Sequence, residues 1–135
     1  MGCDIHGYIE IKIGNTWVAY KELDVRRDYR LFAILANVRN YEEFNIKPIS
    51  EPRGLPLDVS VLAKASSDGW DSDGHSHSWI SCAEIEDIAQ WLNKTHMGEP
   101  SPNFIIEYDY DNGDLFNYYT EPRVSDVRMV FWFDN

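Results

Sequence analysis

The chain has 135 residues, 44% of them hydrophobic, and a formal charge of −11. One domain of that size buries about two-thirds of its unfolded surface, and only two cysteines, Cys3 and Cys82, exclude a disulfide-stapled secreted scaffold and point to a cytoplasm. The acidic balance excludes wrapping of duplex nucleic acid, whose affinity comes from counterions released by basic residues; no apolar run of about 18 residues is present to span a membrane, and no signal peptide is expected.

Residues 4–13 alternate with period two. Ile5, Ile9, Ile11 and Ile13 face one way, and Asp4, His6, Tyr8, Glu10 and Lys12 face the other, which is the pattern of a half-buried strand. Gly14-Asn15 is a hairpin signal, and Thr16–Tyr20 supplies the return strand. Residues 27–38 read as a helix with Leu31, Ile34, Leu35 and Val38 on one stripe. From Arg39 to Pro56 the chain is irregular, and a loop of that length in a small domain usually carries function.

Leu57–Ala65 fits a short helix, and a polar loop, Ser66–Ser78, follows it. Ser81 with Glu84 is a capping box, so a helix should start at Cys82 and reach about Lys94, packing through Ile85, Ile88, Trp91 and Leu92. Further strands are expected at Phe104–Tyr110, Leu115–Thr120 and Val127–Phe133, with Asn112-Gly113 as the intervening turn. These elements predict a single α+β domain over 1–135: an antiparallel sheet of about five strands with two or three helices packed on one face.

Two clusters carry the chemistry. On a strand, residues two apart project together about 6.6 Å apart, so Asp4 and His6 share a face with Tyr8 beyond them. His75 and His77 repeat that spacing if their segment is extended, with Asp73 on the same side. Asp4, His6, His75 and His77 are therefore the candidate ligands of a divalent metal, the nitrogen and oxygen donors that Zn, Mn or Fe take. A metal there would acidify water and polarise a phosphoryl oxygen. Two other readings stand open: the histidines contact a ligand directly or transfer protons, or the segment is a structural loop.

Around the clusters, Arg26 to Arg53 holds six basic and four acidic residues, leaving −13 on the rest of the chain. That segment can focus a small anion. Arg30, and Arg53 within the turn Arg53-Gly54-Leu55-Pro56, are candidate phosphate contacts. Tyr8 would orient the ligand, and Trp79, like Trp70, either stacks on a base or anchors the loop. Cys3 and Cys82 read as packing residues, and His96 as a helix-end cation outside the site.

Met1-Gly2-Cys3-Asp4-Ile5-His6, the run Tyr29–Ala36 with Val38-Arg39, the turn Arg53–Pro56 with Asp58-Val59-Ser60, and Asp73-Gly74-His75-Ser76-His77-Ser78-Trp79 together resemble a family of small phage and prophage proteins of uncharacterised activity. The resemblance covers the first two-thirds of the chain. It implies an accessory role in the cytoplasm of a bacterial host, such as countering defence or adjusting nucleotide metabolism.

The leading expectation is a metal-assisted hydrolase of a small nucleotide-like phosphoester, with Asp73 as ligand or general base and His75 in the reacting centre. One alternative is a non-catalytic binder that sequesters a nucleotide signal. Another is an acidic inhibitor of a host protein. The sequence leaves homo-oligomerisation open.

Overall fold

The computed structural model describes residues 2–25, 27–95 and 124–135. Among the described residues, four strands form one antiparallel sheet in the order β2-β1-β4-β3: β1 Ile5–Ile13, β2 Thr16–Glu22, β3 Gly74–Ser81 and β4 Val124–Asp134. Three helices among the described residues accompany it: α1 Tyr29–Ala36, α2 Val61–Trp70 and α3 Cys82–Thr95. The architecture is α+β as expected. The strands expected at 104–110 and 115–120, together with His96, lie outside the described residues.

Local chemistry sets the element ends. Asp28 caps α1 by accepting from the N–H groups of Arg30 and Leu31 at 3.1 and 3.3 Å. Asn37 ends it in the left-handed region, φ 59°, and its N–H returns to the Ala33 carbonyl at 2.8 Å. Ser60 caps α2. The capping box read from Ser81 and Glu84 is present, with Ser81 N–H donating to Glu84 Oε1 at 2.9 Å and Glu84 N–H donating to Ser81 Oγ at 3.3 Å. The segment 66–78 is not a loop: it completes α2, makes a 3-10 turn over Asp71–Asp73 and opens β3.

Helices cover both faces of the sheet, not one. Ile5, Ile9, Ile11, Met129, Phe131 and Phe133 pack with residues of α1 and α3 in the larger core. Tyr8 and Trp132, which point the opposite way, pack with Ala63 of α2 and with Leu55, Val59 and Trp70. Strand β4 is central, so Val127 to Phe133 is buried throughout on both sides. Its apolar run from Met129 to Phe133 is the mark of a doubly covered strand.

Close approach between β1 and β4 depends on Gly7, φ 155°, where a Cβ would strike the Val130 carbonyl and the Phe131 backbone. The second face is pinned by charge. Glu10, fully buried, accepts from Arg128 Nε at 2.7 Å and from the Ser60 N–H at 2.8 Å. Arg128 also donates to Asp58 Oδ1 at 2.9 Å, and its guanidinium lies 3.9 Å from the centre of the Trp17 ring. This network ties the start of α2 to the middle of the sheet.

Candidate functional site

The topology brings the start of β1, the end of β4 and the start of β3 to one end of the sheet, because β4 runs antiparallel to both neighbours. Both histidine clusters therefore meet there. Asp134 joins them. Its Oδ2 lies 3.0 Å from His6 Nε2, and its backbone carbonyl lies 3.1 Å from His75 Nε2. The same residue closes the chain end onto the N-terminus: Asp134 Oδ1 accepts from the Asp4 N–H at 2.9 Å, and Asp134 N–H donates to the Asp4 carbonyl at 3.1 Å.

These partners fix the tautomers by simple valence. A carboxylate and a carbonyl only accept, so His6 and His75 each carry a proton on Nε2. Neutral His6 is left with a lone pair on Nδ1, and its ring lies against Trp70 with centroids 4.2 Å apart. Neutral His75 accepts on Nδ1 from the Ser76 hydroxyl at 2.9 Å. Both of its nitrogens are thus engaged.

His75 and His77 do not share a side. Register runs His75↔Phe133 and then Ser78↔Phe131, so β3 spends three steps where β4 spends two. The bulge sits at Ser76, φ 54°. His75 therefore stacks toward Phe133 on the larger-core face, with centroids 6.3 Å apart. His77 lies over Trp132 on the α2 face, with centroids 6.1 Å apart. Burial, and then the neighbouring His75, push the His77 imidazole below its ordinary value, so it is neutral at pH 7. Beneath it the buried Trp132 indole N–H has no hydrogen-bond partner among the described residues. Gly74 lies against this group: a Cβ there would come within 3.1 Å of Trp70 Cβ, 3.5 Å of Trp132 Cδ1 and 3.6 Å of His77 Nε2.

The expected metal set does not fit one ion in this arrangement. Asp4 is held by Arg27 through two bonds of 3.0 Å, which keep its carboxyl below the usual range. His75 has no free nitrogen and lies on the larger-core face, opposite His6 and His77, which sit against Trp70 and Trp132 on the α2 face. Among the described residues no three His, Cys, Asp or Glu side chains form a group able to hold a metal ion. Asp73 is exposed in the turn before β3 and, among the described residues, hydrogen-bonds to neither histidine.

The expected phosphate contacts are placed elsewhere. Arg53 is bound through both terminal nitrogens to Glu84 at 2.7 and 2.6 Å, and it also donates to the Trp79 carbonyl at 3.0 Å. Its guanidinium covers Trp79, 4.9 Å from the ring centre. Arg53 and Trp79 thus form a clamp between the 53–56 turn and the start of α3. Arg30 lies on α1, over Phe44 at 5.7 Å. Tyr8 is buried in the smaller core. Cys3 is fully buried, which pushes its thiol up, and Cys82 is also buried, in keeping with packing roles.

Reading the sequence missed Asp134 and Trp132 and gave Ser76 no role of its own, whereas Trp70 was expected near the site. Asp134 follows a buried strand and meets His6 across 128 positions, so no local spacing marks it. The chain matches no protein-family model, no curated protein and no solved structure.

Proposed function

We propose that the protein binds and hydrolyses a small nucleotide-like phosphoester at the end of the sheet where His6, His75 and His77 gather. The observation that supports this reading most is the bridging of His6 and His75 by Asp134. A carboxylate on Nε2 orients an imidazole and stabilises its protonated form, leaving Nδ1 for proton transfer. Charge is favourable as well. Asp4 and Asp134 are balanced here by Arg27 and Arg39, all four close enough to act on Cys3, whereas the whole chain carries −11. An anion meets less repulsion at this end than elsewhere.

No metal enters this mechanism, because Asp4 is engaged by Arg27, His75 by Ser76 and the Asp134 carbonyl, and His75 lies on the opposite face from His6 and His77. His6 is the proton-transfer group, and Trp70 and Trp132 supply apolar walls. The resemblance to phage proteins gives the setting, an accessory activity in an infected bacterial cytoplasm.

A second reading has its own support. The Trp132 N–H, without a partner among the described residues, beside neutral His77 and under Trp70, suits a ligand acceptor held without turnover. One experiment separates the two. Purified protein is incubated with a panel of linear and cyclic nucleotides, then denatured, and the released material is resolved by chromatography. Cleaved product that disappears in His6→Gln supports hydrolysis. Intact nucleotide recovered stoichiometrically supports sequestration, and neither outcome in any member of the panel removes the nucleotide reading.

A further inference from the structure

We infer that Ser76 is a nucleophile, activated by His75, and that phosphoester cleavage at this site runs through a phosphorylated serine. The inference rests on the same end of the sheet being the site, but it assigns chemistry to a residue that the proton-transfer role of His6 does not use.

Three observations converge. The Ser76 hydroxyl donates to His75 Nδ1 at 2.9 Å, and the far nitrogen of that ring is fixed by the Asp134 carbonyl at 3.1 Å. A hydroxyl, a base in contact with it and a third group that orients the base form the pattern of an activated nucleophile. Here the orienting acceptor is a backbone carbonyl, whose position is set by the β3–β4 ladder. The second observation is backbone conformation. Ser76 has φ 54° within a bulge, a place that glycine fills at lower cost. A non-glycine residue held there is a strain that surrounding structure must sustain, and such strain concentrates at reacting groups. The third is placement. Ser76 is partly exposed, between two histidines, on β3, the outer strand of the sheet among the described residues, so an incoming phosphorus can reach its oxygen.

The step balances without any further reagent. Ser76 Oγ forms the bond to phosphorus as its proton passes to His75 Nδ1. The P–O bond to the leaving group breaks, and the departing oxygen takes that proton. Water then attacks phosphorus and gives a proton to Nδ1, and the Ser76 oxygen leaves and is reprotonated. The ring alternates between base and acid throughout, while Nε2 keeps its bond to the carbonyl.

The test uses diisopropyl fluorophosphate on the full-length protein. The Ser76 Oγ–P bond would form, fluoride would leave, and the hydroxyl proton would pass to His75. One diisopropylphosphoryl group per chain is expected by intact mass, mapped to Ser76 by peptide analysis. Ser76→Gly should fold at least as well as the parent, since glycine suits that φ, and should take no label. His75→Gln keeps a donor for the carbonyl but lacks the base, so labelling should slow by about 100-fold, the scale of general-base assistance. No label on the parent, a label elsewhere than Ser76, or an unchanged rate in His75→Gln overturns the inference. Failure here is distinguishable from failure of the nucleotide reading. Labelled Ser76 with no nucleotide bound or cleaved sinks the latter alone, whereas nucleotide cleavage without a labelled serine leaves His6 acting directly on water and sinks the former.

Discussion

His6 Nε2 lies 3.0 Å from Asp134 Oδ2, a contact between two residues 128 positions apart. Because Asp134 also accepts from the Asp4 N–H and reaches His75 through its carbonyl, one residue sets the positions of both histidine segments. Asp134→Ala removes the carboxylate and keeps the carbonyl. It should release His6 and the Asp4 N–H while leaving His75 in place. A loss of about 1–3 kcal/mol is expected from the two hydrogen bonds, one of them charge-assisted, checked by urea unfolding. Nucleotide turnover should fall with it, whereas labelling of Ser76 by the fluorophosphate should persist. Equal loss of both would show that the two histidines act as one unit.

Much of the scaffold could be read locally. The alternation in β1 placed Ile5, Ile9 and Ile11 in the larger core and Tyr8 and Glu10 on the opposite face, although Ile13 at the strand end is exposed, and Ser81 with Glu84 marked the start of α3. Such signals work because they arise from the chain's own period and from bonds within a single turn. The relation of His75 to His77 failed for the opposite reason. Spacing of two means one face only on a regular strand, and the bulge at Ser76 carries a residue type that does not announce left-handed backbone. Asp134 and Trp132 were illegible because their roles depend on which strands flank β4. The second helical layer was foreshadowed only by the apolar run from Met129 to Phe133, preceded by Arg128, whose partner Glu10 is a strand away.

Arg53 is expected to act on stability and not on ligand affinity. Its fork grips Glu84, which lowers that carboxyl below its ordinary value and joins the 53–56 turn to α3. Lysine cannot reproduce two parallel bonds, so Arg53→Lys should cost about 2 kcal/mol in thermal or urea unfolding. Titration calorimetry with any nucleotide that binds should return the parent affinity. A weakened affinity with unchanged stability would restore Arg53 as a phosphate contact.

Acid should destabilise the α2 face through His77. Burial and the charge of His75 depress its folded value, with Lys64 acting in the same direction and Asp68 opposing. The unfolded chain then binds more protons than the folded one, so this contribution is complete above the ordinary value of 6.5 and is lost as pH falls through the depressed folded value. The urea midpoint should drop as pH falls below the ordinary value of 6.5, and His77→Gln should flatten that part of the curve. A curve of the same shape in the variant would assign the titration to another group.

Metal content follows from the engagement of the donors. With Asp4 on Arg27, and His75 between Ser76 and Asp134, protein purified without a polyhistidine tag should carry well under one equivalent of Zn, Mn or Fe by elemental analysis. His6→Ala should not change that figure, and chelator should leave nucleotide turnover intact. Stoichiometric metal lost in His6→Ala would require the Asp4–Arg27 pair to open and would return the site to metal-assisted hydrolysis.

The ion pair beneath α2 offers the clearest test of the fold itself. Glu10 is fully buried and Arg128 is 7% exposed. Arg128→Met strands a carboxylate in an apolar layer, and breaking one side of a buried pair typically costs about 3–5 kcal/mol. Adding Glu10→Gln removes the stranded charge while its amide oxygen still accepts from the Ser60 N–H, which is the bond that holds the start of α2. The double variant should therefore recover most of the loss, giving a large coupling energy in a double-mutant cycle. Additive losses would mean that the guanidinium contributes chiefly through its stacking on Trp17, 3.9 Å away, and through Asp58.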